Sequence, residues 1–133
     1  MKNFSVNIAG RVNNFNLPEH RPLVPLYEAI VNAFHAIEEK NINCTIQGNV
    51  KVEIIRRENE LFDDAIPMIT GFVISDNGIG FNEINMNAFL ESDSTHKAKI
   101  GGKGVGRFSW LKAFKEVVIE SVYEDNDSFY ERK

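Results

Sequence analysis

The sequence predicts an α+β sandwich, a mixed and mostly antiparallel sheet with helices on one face. Three observations lead there. The periodicities run helix, strand, strand, glycine turn, helix, strand, which is not the strict strand–helix alternation of a doubly wound sheet. The first two strands are joined by a short connection, which favours antiparallel pairing. The composition is that of one ordinary packed domain, residues 1–133, with 43% apolar and 26% charged residues and ten phenylalanines for a core.

Residues 1–21 read as polar and irregular, with a short strand at Phe4–Ile8. Pro22 and Pro25 then punctuate, and proline fits the first turn of a helix because the amide it lacks would be unpaired there anyway. From Leu23 to Lys40 the pattern is helical. Leu26, Ile30, Phe34 and Ile37 recur at steps of four, four and three, which predicts one apolar stripe. Asn41, Asn43 and Gly48 end it. Val50, Val52 and Ile54 alternate with Lys51 and Glu53, the period of a half-buried strand. Residues 57–67 are an acidic connection closed by Pro67, and Met68–Ser75 is a second strand. DNGIGF at 76–81 is a glycine turn. It is not a hairpin turn, because FNEINMNAFL after it lacks period-two alternation and reads as a short helix over 82–90. Residues 91–106 form a glycine-rich loop, Gly106–Phe114 a helix with Phe108, Leu111 and Phe114 on one side, and Glu116–Tyr123 a third strand. Glu124–Ser128 is turn-like, and Phe129 opens a further strand that reaches the last residues. That predicts the N-terminal part of a longer protein.

The charge balance is fifteen Lys and Arg against nineteen Asp and Glu, net −4, which argues against nucleic-acid binding by bulk charge. One cysteine, Cys44, permits no internal disulfide and points to a reducing, cytoplasmic setting. No apolar run approaches a membrane span, and no membrane partner is expected.

Three stretches carry candidate chemistry. In YEAIVNAFHAI, Glu28 and Asn32 are four apart and share a helix face, with His35 near them and Ala29, Ala33 and Ala36 leaving room. A solvated polar face would look the same. In SDNGIGF, Asp76 ends an apolar strand where its carboxylate can accept a hydrogen bond from an exocyclic amine, and Gly78 and Gly80 permit close backbone approach or positive φ. In GGKGVGRF, four glycines fall within 101–106 and lead into a helix. A helix start exposes unpaired N–H groups and is a ready anion site, and Lys97, Lys103 and Arg107 add positive charge. The spacing matches neither a Walker A loop nor a dinucleotide-binding fingerprint.

In this order, across residues 20–123, the three motifs resemble the GHKL ATPases: gyrase B subunits, ninety-kilodalton heat-shock chaperones, histidine kinases and MutL mismatch-repair proteins. GGKGVGRFSWLKAF is similar to bacterial ATP-binding proteins that carry an N-terminal domain of this kind. The resemblance implies the Bergerat fold, an α/β sandwich, with ATP and Mg²⁺ as ligands. It implies Glu28 as the general base for the attacking water, Asn32 as Mg²⁺ ligand and Asp76 on the adenine amine, with Gly78 and Gly80 beside the base. It implies a lid over 91–105, in which Lys97, Gly102, Lys103, Gly104 and Val105, with Gly106 just after it, meet the phosphates. ATP-driven closure would promote homodimerisation or move an effector domain, with a DNA or protein client engaged through domains beyond Lys133. The sequence departs from the pattern twice. His35 stands where many hydrolysing members have aspartate, and the later threonine-containing motif is not found before Lys133. Two alternatives therefore stay open: a nucleotide-binding switch without useful hydrolysis, and histidine-kinase-type phosphotransfer, for which His20, in a Pro-flanked polar stretch, is a poor acceptor. A purely structural domain is the plainest option.

Overall fold

The computed structural model describes residues 8–58, 67–90 and 106–133. They hold four helices and two antiparallel strand pairs, in the order α1 (Ile8–Asn14), α2 (Val24–Asn43), β1 (Val50–Arg56), β2 (Ile69–Asp76), α3 (Glu83–Leu90), α4 (Gly106–Ala113), β3 (Ser121–Asp125) and β4 (Ser128–Arg132). The α+β class is as expected. The strands form two separate two-stranded sheets among the described residues, β1–β2 and β3–β4, where one mixed sheet was predicted. The chain divides into two compact units. One comprises Met1–Ala29 with Ile79–Lys133, the other Ile30–Gly78.

Helix α2 passes from one unit to the next. Its buried stripe differs from the one that the spacing suggested. Ala33 and Ile37 are buried at 3% and 8% exposure, whereas Phe34 is 52% exposed. At 3.6 residues per turn Phe34 lies about 80° around the helix from Leu26, while Ala33 lies within about 20° of it. The helix ends where Asn41 Oδ1 accepts the Ile46 N–H at 2.7 Å.

In the unit Ile30–Gly78, β1 and β2 pair in the register Val52↔Ile74 and Ile54↔Phe72, with a bulge between Ile55 and Arg56. Gly48 sits so close to α2 that a Cβ there would lie 2.7 Å from Ile37 Cγ2. Asn77 fastens the open end of the pair. Its Oδ1 accepts the Asn49 N–H at 2.8 Å, its Nδ2 donates to the Gln47 carbonyl at 2.9 Å, and its own N–H donates to the Asn49 carbonyl at 3.3 Å.

In the other unit, α1 packs against α4. Seven residues with an internal glycine make a marginal helix, and tertiary contacts hold it. Lys112 Nζ donates to the Asn13 carbonyl at 3.1 Å, and the Phe15 and Phe108 rings lie 6.5 Å apart. This corrects the irregular reading of the N-terminal stretch; the rest of the strand suggested at Phe4–Ile8 lies outside the described residues. Helix α3 begins as its sequence implies: Asn82 Oδ1 caps it by accepting the Asn85 N–H at 2.9 Å. Helix α4 buries Phe108 and Ser109, while Leu111 is exposed, so the stripe inferred for it is narrower than its spacing suggested.

The third strand is also corrected. Residues 116–120 are not part of a strand, and the strand starts at Ser121. A two-residue turn sets the pairing. Asn126 and Asp127 both take left-handed backbone, at φ 48° and 59°, which suits Asn and Asp and matches the twist of a tight hairpin. The register that follows, Tyr123↔Tyr130 and Ser121↔Arg132, defines β3–β4 and includes the further strand at Phe129.

Candidate functional site

In the first unit, Glu28 meets Gly106. A Cβ placed on Gly106 would lie 2.5 Å from Glu28 Oε2 and 3.2 Å from its Cδ, so the carboxylate rests on the backbone that opens α4. Any side chain there would have to displace the Glu28 carboxylate. A carboxylate at a helix start also sits in the favourable end of the helix dipole. The partners are 78 residues apart in sequence.

Helix α4 is held there from several sides. Trp110 Nε1 donates to the Pro25 carbonyl at 2.9 Å, and Pro25 is fully buried. Ser109, fully buried, donates through Oγ to the Gly106 carbonyl at 2.6 Å. The Arg107 guanidinium lies 4.8 Å from the centre of the Phe108 ring and 5.6 Å from that of Phe89. None of these contacts was read from the sequence. The chain's single tryptophan was the one available signal.

Gly80 lies in the same unit, at φ 76°, and an added Cβ would strike the Val122 carbonyl oxygen and come 2.9 Å from Ser121 Oγ. The next amide, Phe81 N–H, donates to Ser121 Oγ at 2.8 Å. Just beyond, Arg132 on β4 pairs with Glu83 at the start of α3. It also donates to the Tyr123 hydroxyl at 2.9 Å and lies over the Tyr123 ring. The Glu83 bond holds the Arg132 guanidinium above its ordinary pKa, and Lys133 beside Glu120 holds that carboxyl below the usual range through their hydrogen bond.

The other unit carries Asn32, Asp76 and Gly78. Asp76 is exposed at the end of β2, and its Oδ1 accepts the Gly78 N–H at 2.8 Å, which fixes the carboxylate's orientation. Its second oxygen takes no hydrogen bond among the described residues and is open to an incoming donor. Gly78 is required by packing: a Cβ there would lie 2.6 Å from Ala36 on α2. Lys40 ties the same turn to the helix, donating to the Asn77 and Gly78 carbonyls at 3.2 and 3.3 Å. Asn32 is half-buried on α2, and its amide is of the oxygen-donor type that Mg²⁺ takes. His35 follows it with Nδ1 buried and no hydrogen-bond partner among the described residues.

The structure thus brings Glu28 to Gly106 within one unit and Asp76 to Gly78 within the other. Lys97, Gly102, Lys103, Gly104 and Val105, with the whole lid span 91–105, lie outside the described residues. Two cavities occur in the first unit. One of about 330 Å³ is lined by Arg11, Asn14, Phe15 and Phe108, and one of about 230 Å³ lies among Phe81, Met86, Phe89, Val117 and Ile119. Neither is lined by a predicted site residue. No helix among the described residues is long and apolar enough to cross a membrane.

Comparison with protein-family models, curated proteins and solved structures returned no significant match.

Proposed function

We propose that the chain is a GHKL-type ATP-binding domain of Bergerat fold that hydrolyses ATP slowly with Mg²⁺. The observation that carries the reading is the seat of the Glu28 carboxylate on Gly106. It joins the helix motif to the helix start that follows the glycine run, one of which the resemblance assigns to the attacking water and the other to the phosphates.

The chemistry follows from the residues. The backbone N–H groups that open α4 are the anion site of this reading, to which the resemblance adds Gly102 and Gly104 as further phosphate contacts. Glu28, held beside that site, is placed to take a proton from a water attacking the terminal phosphate. Asp76 has one oxygen locked by Gly78 and the other open, which suits a single hydrogen bond from the adenine amine. Asn32 would hold Mg²⁺, which when bound neutralises phosphate charge. The glycines at 78 and 80 are each accounted for by packing within the protein, so the reading does not rest on them. Lid closure on ATP, driving homodimerisation or an effector domain that reaches a DNA or protein client, is the proposed output.

The test is a pair of measurements on one protein. Calorimetry should show Mg-ATP binding, and Glu28→Ala should abolish phosphate release while sparing that binding. Undiminished release by the variant would remove Glu28 from the base role. A second reading, a nucleotide switch without useful turnover, is favoured by His35, a neutral or cationic ring in place of a carboxylate. Binding with no phosphate release in the wild type would select it.

A further inference from the structure

Two contacts join α2 and α4, each one helical turn from the other. Pro25 and Glu28 are three apart on α2; Gly106 and Trp110 are four apart on α4. Pro25 takes the Trp110 indole N–H at 2.9 Å, and Glu28 lies against Gly106. As numbering rises along α2 it falls along α4, so the two segments run antiparallel and the indole bond fixes their register. A slip by one turn would shift one helix along the other by about 5.4 Å and carry the carboxylate off the helix start. The bond is part-buried, with Trp110 half-buried. Pro25 and Ser109 are fully buried, and the Phe89 ring stacks on Trp110 at 6.4 Å between centroids and 26° between planes.

We infer that Trp110 is a positioning residue for the Glu28 carboxylate, acting through its hydrogen bond to Pro25. The inference rests on the ATPase reading for its catalytic consequence but not for its structural one. Phenylalanine keeps most of the ring and loses the donor. Without that donor the α4 start rides loosely on α2, and the carboxylate samples orientations that do not face the phosphate site. Loss of precise placement at one catalytic group lowers the chemical step more than it lowers binding.

The experiment uses the full 133-residue chain, wild type, Trp110→Phe and Glu28→Gln. The single indole gives one N–H resonance, which should be protected from solvent exchange in the wild type. The Gly106 amide resonance should move in Glu28→Gln and should move or broaden in Trp110→Phe. With Mg-ATP, Trp110→Phe should lower kcat about tenfold while nucleotide affinity stays within about threefold and the protein still unfolds cooperatively. An exchange-labile indole, or a Trp110→Phe protein with wild-type Gly106 resonance and wild-type kcat, overturns the inference. Moved resonances together with undiminished turnover in Glu28→Gln leave the helix register standing but overturn the catalytic role and, separately, the base assignment.

Discussion

Gly106 opens α4 directly on the Glu28 carboxylate, which any side chain at 106 would have to displace. Alanine at 106 would improve helix propensity, so a purely structural helix would gain from it. Here the added methyl falls 2.5 Å from Glu28 Oε2 and must displace the carboxylate. Gly106→Ala is expected to lower phosphate release at least tenfold, read in a steady-state assay. A calorimetric titration in parallel should show a much smaller loss of nucleotide affinity.

Gly80 should be the costliest glycine to replace for stability. Its φ of 76° strains any side chain, and the Val122 carbonyl occupies the space that a Cβ needs. Backbone strain alone costs about 1–3 kcal/mol. Gly80→Ala is expected to lower the unfolding free energy by at least that amount, read from a lower urea midpoint at unchanged slope, and an unchanged midpoint would contradict the geometry.

Asn77 offers a cleaner local test. Its side chain bridges Asn49 N–H and the Gln47 carbonyl at the end of the β1–β2 pair. Asn77→Asp keeps the acceptor and loses the donor; Asn77→Ala loses both. Each exposed bond is worth about 1 kcal/mol or less, so unfolding should rank wild type, then Asp, then Ala.

Arg132 joins the last strand to the start of α3 through Glu83 and to β3 through the Tyr123 hydroxyl and ring. Arg132→Met keeps the stem and removes the charge. Faster amide exchange across Glu83–Leu90 is expected, and high salt should narrow the difference from wild type by screening the exposed Glu83 partner.

Much of the fold was legible in local pattern. Val50–Arg56 followed from alternation, α3 from the missing period-two alternation after the glycine turn, and the β3–β4 turn from the turn-like stretch Glu124–Ser128. What escaped was decided at a distance. Helix α1 depends on Lys112 and Phe108, about a hundred positions away. Phe34 faces outward because the stripe drifts around α2, which a count of steps does not register. The strand expected from Glu116 begins at Ser121 because only there does β4 supply a partner. Of the candidate site, residue types and order could be read along the chain. The meeting of Glu28 with Gly106, and the Trp110–Pro25 bond beside it, are tertiary contacts that no local pattern encodes.

Calorimetric titration of Mg-ATP into wild type and Asp76→Asn measures whether an adenine nucleotide binds through Asp76. Asparagine retains an oxygen for the Gly78 N–H, so the turn is preserved. It loses the negative charge and can turn a donor toward the adenine amine. Saturable binding by wild type, weakened at least tenfold in the variant, is expected. No binding by wild type, or equal affinity in the two proteins, would contradict it.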